Sequence, residues 1–190
     1  MSAIASERGG AWRGLAGMAL LAAGLAVTAV VAAAPEVGRP APALVARSFN
    51  GGAFDLSTLR GKVVVLNFWA SWCGPCRSEM PLLDAVQREY RDRGVVVVGL
   101  SADDRHDRKD AVKAAAGLSY LTGLLAEAPV NGFGAPQVLP LTYIIGPTGT
   151  LGAVLSANRG PLSAAQLREA LDAQLRAVAG TVAAPTSSTP

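Results

Sequence analysis

Two cysteines and a single histidine are all that the sequence offers toward a soft-metal centre. A structural zinc site takes four ligands, and with His106 lying 30 residues after Cys76 the count is not met. Basic clusters are missing as well. The formal charge of +3 comes from interspersed Arg and Asp, with no lysine cluster, basic helix or aromatic-basic platform, so no nucleic acid is expected as a partner. No internal repeat occurs. No cysteine lies near the N-terminal apolar run, which excludes a bacterial lipoprotein anchor.

Charge is absent over one long stretch, Leu15 to Ala34, behind a short segment that carries Arg8 and Arg13. Twenty helical residues reach about 30 Å, enough to span a hydrocarbon core. Residues 1–14 then read as a cytoplasmic n-region and 15–34 as a transmembrane signal anchor or a signal peptide. Ala32-Ala33-Ala34 would suit cleavage, whereas Pro35 and the length of the run favour an anchor. Either way the cysteines are expected outside the cytoplasm: at the cell membrane facing the periplasm or extracytoplasmic space, or secreted if the segment is cleaved. Residues 35–42, with Pro35, Pro40 and Pro42, read as a stiff linker. A folded domain over 43–179 and a disordered tail over 180–190 complete the division.

Within the domain, Leu44 to Phe49 and Ala53 to Leu56 flank Asn50-Gly51-Gly52, a hairpin signal, and Ser57 to Gly61 is a turn. Lys62 to Trp69 is a buried strand by its β-branched and aromatic content. Met80, Leu83, Val86 and Tyr90 recur at helical spacing, with Arg77, Arg88 and Arg91 solvated and Pro81 expected to kink the helix. Val95 to Leu100 is a second buried strand, expected to be parallel. The charged run Asp103 to Asp110 reads as a solvated helix start, His106 as a surface residue, and Ala111 to Ala116 as the helix it begins. Tyr120 to Leu125 is a weak strand and Ala128 to Gln137 a loop. Leu141 to Ile145 and Leu151 to Leu155 form a hairpin about Gly146-Pro147-Thr148-Gly149. Ser163 with Gln166 makes a capping box and Leu162 with Leu167 a staple, opening a helix that buries Leu167, Leu171, Leu175 and Val178 and stops at Gly180. This order predicts an α/β sandwich with a mixed sheet.

Both cysteines fall at the junction between the first buried strand and the following helix, in Trp72-Cys73-Gly74-Pro75-Cys76. A two-residue spacing permits a small disulfide, and Pro75 is tolerated in the first helical turn, where its missing N–H would be an orphan. Cys73 then stands at the positive end of the helix dipole, where a thiolate is favoured.

This stretch resembles the active site of the thioredoxin superfamily. With Leu59-Arg60-Gly61-Lys62-Val63-Val64-Val65-Leu66-Asn67-Phe68-Trp69-Ala70 before it and Arg77-Ser78-Glu79-Met80-Pro81 after it, the chain is similar to the membrane-anchored TlpA/ResA/DsbE-like branch. The resemblance covers about Pro40 to Val178 and implies a thioredoxin-like three-layer sandwich, with a central mixed sheet and an N-terminal β-hairpin extension. It also implies a redox disulfide Cys73–Cys76, attack by Cys73, resolution by Cys76, and a cis proline at Pro140 opposite the disulfide. Asn67 stands where cytosolic thioredoxins carry a buried aspartate, and the branch implies Glu79 as the replacement acid. Trp72, Gly74, Pro75 and Leu139 are the residues expected to meet substrate, with edge hydrogen bonds offered by the backbone before Pro140. Trp69 is expected to pack internally.

The function so implied is an extracytoplasmic thiol-disulfide oxidoreductase, a protein-disulfide reductase with no cofactor. Its expected clients have cysteine pairs, such as apocytochrome c or copper-site assembly proteins, and a membrane thiol reductase is the expected electron donor. Two alternatives stay open: a copper carrier using the same thiols, and a peroxiredoxin-like peroxidase, whose Pro-x-x-x-Thr-x-x-Cys setting is absent here.

Overall fold

The computed structural model describes residues 34–182. Eight strands and three helices follow in the order β1 (Leu44–Arg47), β2 (Ala53–Asp55), β3 (Val63–Trp69), α1 (Gly74–Tyr90), β4 (Val95–Ser101), α2 (Arg108–Ala114), β5 (Leu121–Leu124), β6 (Val130–Asn131), β7 (Leu141–Ile145), β8 (Leu151–Ser156) and α3 (Ala164–Val182). The segment read as a membrane span lies outside the described residues, apart from its last residue. Among those described, no helix is long and apolar enough to cross a membrane.

The main sheet runs β5-β4-β3-β7-β8, with β3, β4 and β5 parallel and β7 and β8 antiparallel additions. All seven residues of β3 are buried because both faces are covered. Alternation divides them. Val63 and Val65 meet Leu83, Val86 and Tyr90 of α1 and Leu167 and Leu171 of α3, whereas Val64, Leu66 and Phe68 meet Leu44, Ala46 and Phe54 of the β1–β2 hairpin. The result is the thioredoxin-like fold: helices, a central mixed sheet, and an N-terminal hairpin.

Three features depart from the sequence-based expectations. The loop expected over Ala128 to Gln137 contains β6, which pairs with β1 and makes the hairpin a three-stranded sheet. That sheet approaches the main one closely at Gly123, where an added Cβ would lie 2.2 Å from the Arg47 carbonyl oxygen. Part of the segment read as a linker is hydrogen-bonded onto the β7–β8 hairpin, with Gly38 N–H donating to Leu151 C=O and Ala41 N–H to Gly149 C=O, both at 2.8 Å. Finally, Gly180 does not stop α3, which runs to Val182, and the side chain of Val178 lies outside the described residues.

Pro81 sits inside α1 without interrupting it. Its side is exposed, so the Arg77 carbonyl left without an i+4 donor faces the solvent side of the helix. Ser163 and Gln166 form the expected reciprocal cap, Gln166 N–H donating to Ser163 Oγ at 3.2 Å and Ser163 N–H to Gln166 Oε1 at 3.0 Å.

Candidate active site

β3 delivers the cysteines to one end of the sheet, where a turn closed by Cys73 N–H donating to Ala70 C=O at 3.1 Å leads into α1. Cys73 is the N-cap of α1 and its sulfur accepts the Cys76 N–H at 3.2 Å. The two residues are joined as a disulfide, with Cα atoms 5.3 Å apart. Cys73 is 6% exposed and Cys76 2%, so the second sulfur is the more enclosed. Both pack with Trp69, Ala70 and Met80, and Ala111 and Ala115 close the cluster from the α2 side.

The Leu139–Pro140 peptide bond is cis. Leu139 packs against the cysteine cluster, while the main-chain groups of Val138 and Leu139 make no hydrogen bond among the described residues. An extended segment can therefore lie along them. The loop that ends here is anchored by Phe133, whose ring lies 5.1 Å from Tyr143 and 6.0 Å from Phe68. Asn131 braces it further by accepting from Phe133 N–H and donating to Gly134 C=O.

Five of the residues predicted from sequence fall into two compartments. A groove of about 570 Å³ is lined by Trp72, Cys73 and Leu139. Trp72 is 70% exposed on its rim, whereas Trp69 is fully buried. Glu79 and Pro140 instead line a smaller cavity of about 160 Å³, together with Thr142, Arg159 and Gln166. Gly74 and Pro75 line neither and are exposed at the start of α1.

Glu79 is buried, and its Oε1 accepts the Leu162 N–H at 3.0 Å. Burial holds its carboxyl above the usual glutamate range, with the Leu162 bond opposing part of that rise. Among the described residues it makes no hydrogen bond to Cys76 in this disulfide state. Asn67, buried on β3, donates from Nδ2 to Thr142 Oγ1 at 3.0 Å and so ties the strand to the lining of the Glu79 cavity.

Asp103 overturns the reading of Asp103 to Asp110 as wholly solvated. It is 2% exposed, lines the groove, and accepts from Ser71 N–H at 2.8 Å, from Ser71 Oγ at 2.6 Å and from the Ser101 hydroxyl. The signal available was its place: Ser101-Ala102-Asp103 leaves the C-terminal end of a parallel strand, where crevices of open α/β sheets form. The remainder of the charged run is a 3₁₀ turn, Arg105–Asp107, followed by α2. His106 is exposed beside Asp107, at 3.2 Å. Asp104, His106 and Asp107 are spaced closely enough for a metal, yet Asp104 and His106 are solvent-exposed and nothing beyond spacing points to an ion.

Residues 37–154 match the family model described as AhpC/TSA. The thiol-disulfide oxidoreductase ResA of Bacillus thuringiensis (strain Al Hakam) is 39% identical over 69 residues, which are 36% of this chain and 40% of that protein. The chain thus spans about two fifths of the length of the ResA relatives that it matches in this way. The thioredoxin-like protein YneN of Bacillus subtilis (strain 168) aligns more broadly, 31% identical over 72% of this chain and 79% of its own. Among solved structures, a Chlorobium tepidum protein assigned as the thiol:disulfide interchange protein DsbE superposes with a TM-score of 0.63 and 26% identity, over 75% of this chain and 99% of that one. With its family model covering most of the folded domain, and with a buried CxxC disulfide and a cis Leu139–Pro140 bond, the chain belongs to the AhpC/TSA family of thioredoxin-like proteins, on its ResA- and DsbE-like side.

Proposed function

We propose that this chain is a thiol-disulfide oxidoreductase that reduces cysteine pairs in client proteins outside the cytoplasm. The observation that carries the reading is the Cys73–Cys76 couple at the N-terminus of a 17-residue helix, with only Cys73 lining the groove. In the reduced protein the Cys73 thiolate, favoured by the helix dipole, attacks one sulfur of the client disulfide. A mixed disulfide forms and the other client sulfur leaves as a thiolate. Cys76 then loses its proton and attacks the Cys73 sulfur, expelling the second client thiolate. The client gains two electrons and two protons, and the couple is left oxidised.

Glu79 is the group we assign to proton handling at Cys76. It stands one helical turn further along α1 and, being buried, holds a proton more readily than an exposed glutamate. Supporting the extracytoplasmic setting is the uncharged run over 15–34, which would tether or export the domain. Clients such as apocytochrome c or copper-site assembly proteins, and a membrane thiol reductase as electron donor, complete the proposal.

The test is the reduction potential of the couple in the full chain, equilibrated against a thiol buffer and followed by tryptophan fluorescence. A value near or below that of thioredoxin, about −270 mV, supports a reductant, and one near about −120 mV makes the protein an oxidant and overturns the direction proposed. Tight stoichiometric copper binding by the reduced chain, with poor exchange, would favour the carrier instead.

A further inference from the structure

The groove at Cys73 is lined by two charged residues, Asp103 and Asp104, and by no Lys, Arg or His. These two carboxylates differ in what they are free to do. Asp103 is buried and its oxygens are taken by Ser71 and Ser101. Asp104 is exposed and stands at the N-cap of the Arg105–Asp107 turn, where an aspartate ordinarily caps, yet its side chain makes no cap bond. Among the described residues it has no ion pair or side-chain hydrogen bond.

Neighbouring cations lie outside the groove lining. Arg105 donates to the Ala126 carbonyl through Nε at 3.0 Å and a terminal nitrogen at 2.8 Å, and His106 lies against Asp107. Arg77 and Lys113 line a different depression, which also carries Asp110 and which Trp72 shares with the groove. Trp72 thus divides an acidic side, holding Cys73, from a side with two cations. A client segment seated on Val138 and Leu139 meets the Asp104 carboxylate as the exposed charge of the groove lining.

We infer that Asp104 is a specificity residue, selecting client segments that carry Lys or Arg next to the cysteine attacked by Cys73. The inference rests on the exchange reaction proposed above and adds to it the charge class of the substrate. One ion pair at contact distance on a half-open surface corresponds to about fivefold in rate, and salt at about 0.5 M should remove most of it.

The experiment uses the reduced full chain and three peptides, each closed by one disulfide and identical except for Lys, Gln or Glu beside the cysteines. Reduction is followed by stopped-flow tryptophan fluorescence at low and high salt. The expected result is a Lys-to-Glu rate ratio of about fivefold or more at low salt, brought toward one by salt and by Asp104→Asn, and inverted by Asp104→Lys. Equal rates for the three peptides, or a ratio unchanged in both variants, overturn the inference while leaving the exchange reaction standing. If none of the peptides is reduced by a chain whose thiols are free, the oxidoreductase reading itself falls and this inference with it.

Discussion

Asp103 receives both hydrogen bonds that Ser71 has to give, the backbone N–H at 2.8 Å and the hydroxyl at 2.6 Å, and so ties the exit of β4 to the residue two places before Cys73. Ser101 completes the clasp from its own strand end. Because Trp72 and Cys73 follow immediately, their position over the groove depends on a carboxylate 30 residues later in the chain.

Asp103→Ala should therefore loosen the turn into α1. Leaving these donors without their acceptor costs about 1–3 kcal/mol of stability. Client reduction should fall by about tenfold through a misplaced nucleophile. A loss of stability alone would suit any buried residue, so the decisive readouts are the potential of the couple and the Cys73 titration, both of which should move. Asp103→Asn, which keeps one acceptor oxygen, should recover part of each. Unchanged potential and thiol titration in the Ala variant would reduce Asp103 to a purely structural role.

A second expectation concerns Glu79 and pH. Its folded-state pKa is raised, by burial first and against the Leu162 bond, so folding favours the protonated acid. The stability this contributes is fully present below the ordinary glutamate value of 4.5 and is lost as pH rises through the raised one. Glu79→Gln stays neutral throughout. Wild type should consequently lose stability relative to the variant as pH rises above the ordinary glutamate value of 4.5, measured by denaturant unfolding at stepped pH. The variant should also slow resolution by Cys76 or shift its titration. A stability difference independent of pH, with unchanged exchange rates, would contradict both parts.

The contrast between these two carboxylates shows what the sequence could convey. Glu79 follows Cys76 by three residues on one helix, so its relation to the disulfide is local and readable from periodicity. Strand β3, the cysteine turn, the capping box at Ser163 and the buried Leu167 and Leu171 were legible for the same reason: each is fixed within a few residues. Asp103 sits in a run of charges that, by composition alone, belongs in water. Its burial depends on Ser71, 32 residues earlier. β6 was missed because two residues carry no period, and its partner Leu44–Arg47 is far away in the chain. The proline-containing segment before β1 suits a linker by composition, and only the β7–β8 turn supplies the partners that hold it.

Phe133 marks another long-range dependence, since its ring meets Phe68 and Tyr143 while the loop after it walls the groove through residues 135–139. Phe133→Ala should destabilise the chain by about 3–5 kcal/mol through the cavity it leaves. Phe133→Leu keeps most of the apolar volume and should fold. In that variant the KM for a disulfide peptide should rise more than kcat falls, because the wall that seats the segment is loosened while the cysteines are untouched. A fall confined to kcat would show that the loop orients the reacting sulfurs and does not seat the client.

Trp72 offers the opposite balance of stability and binding. Its side chain is 70% exposed on the rim between the groove and the depression holding Arg77 and Lys113. Little apolar surface is recovered from water by its present position, so Trp72→Ala should alter folding stability by no more than about 0.5 kcal/mol. Association is another matter, because an exposed indole beside the nucleophile is the largest apolar surface that a docked segment can cover. Reduction of a disulfide peptide should slow by about tenfold. Exchange with a small dithiol, which has no flanking chain to stack there, should slow far less. Equal slowing of both would mean that the indole acts on the reactivity of Cys73, by shielding or orienting it, and that the groove is not where client chains are held.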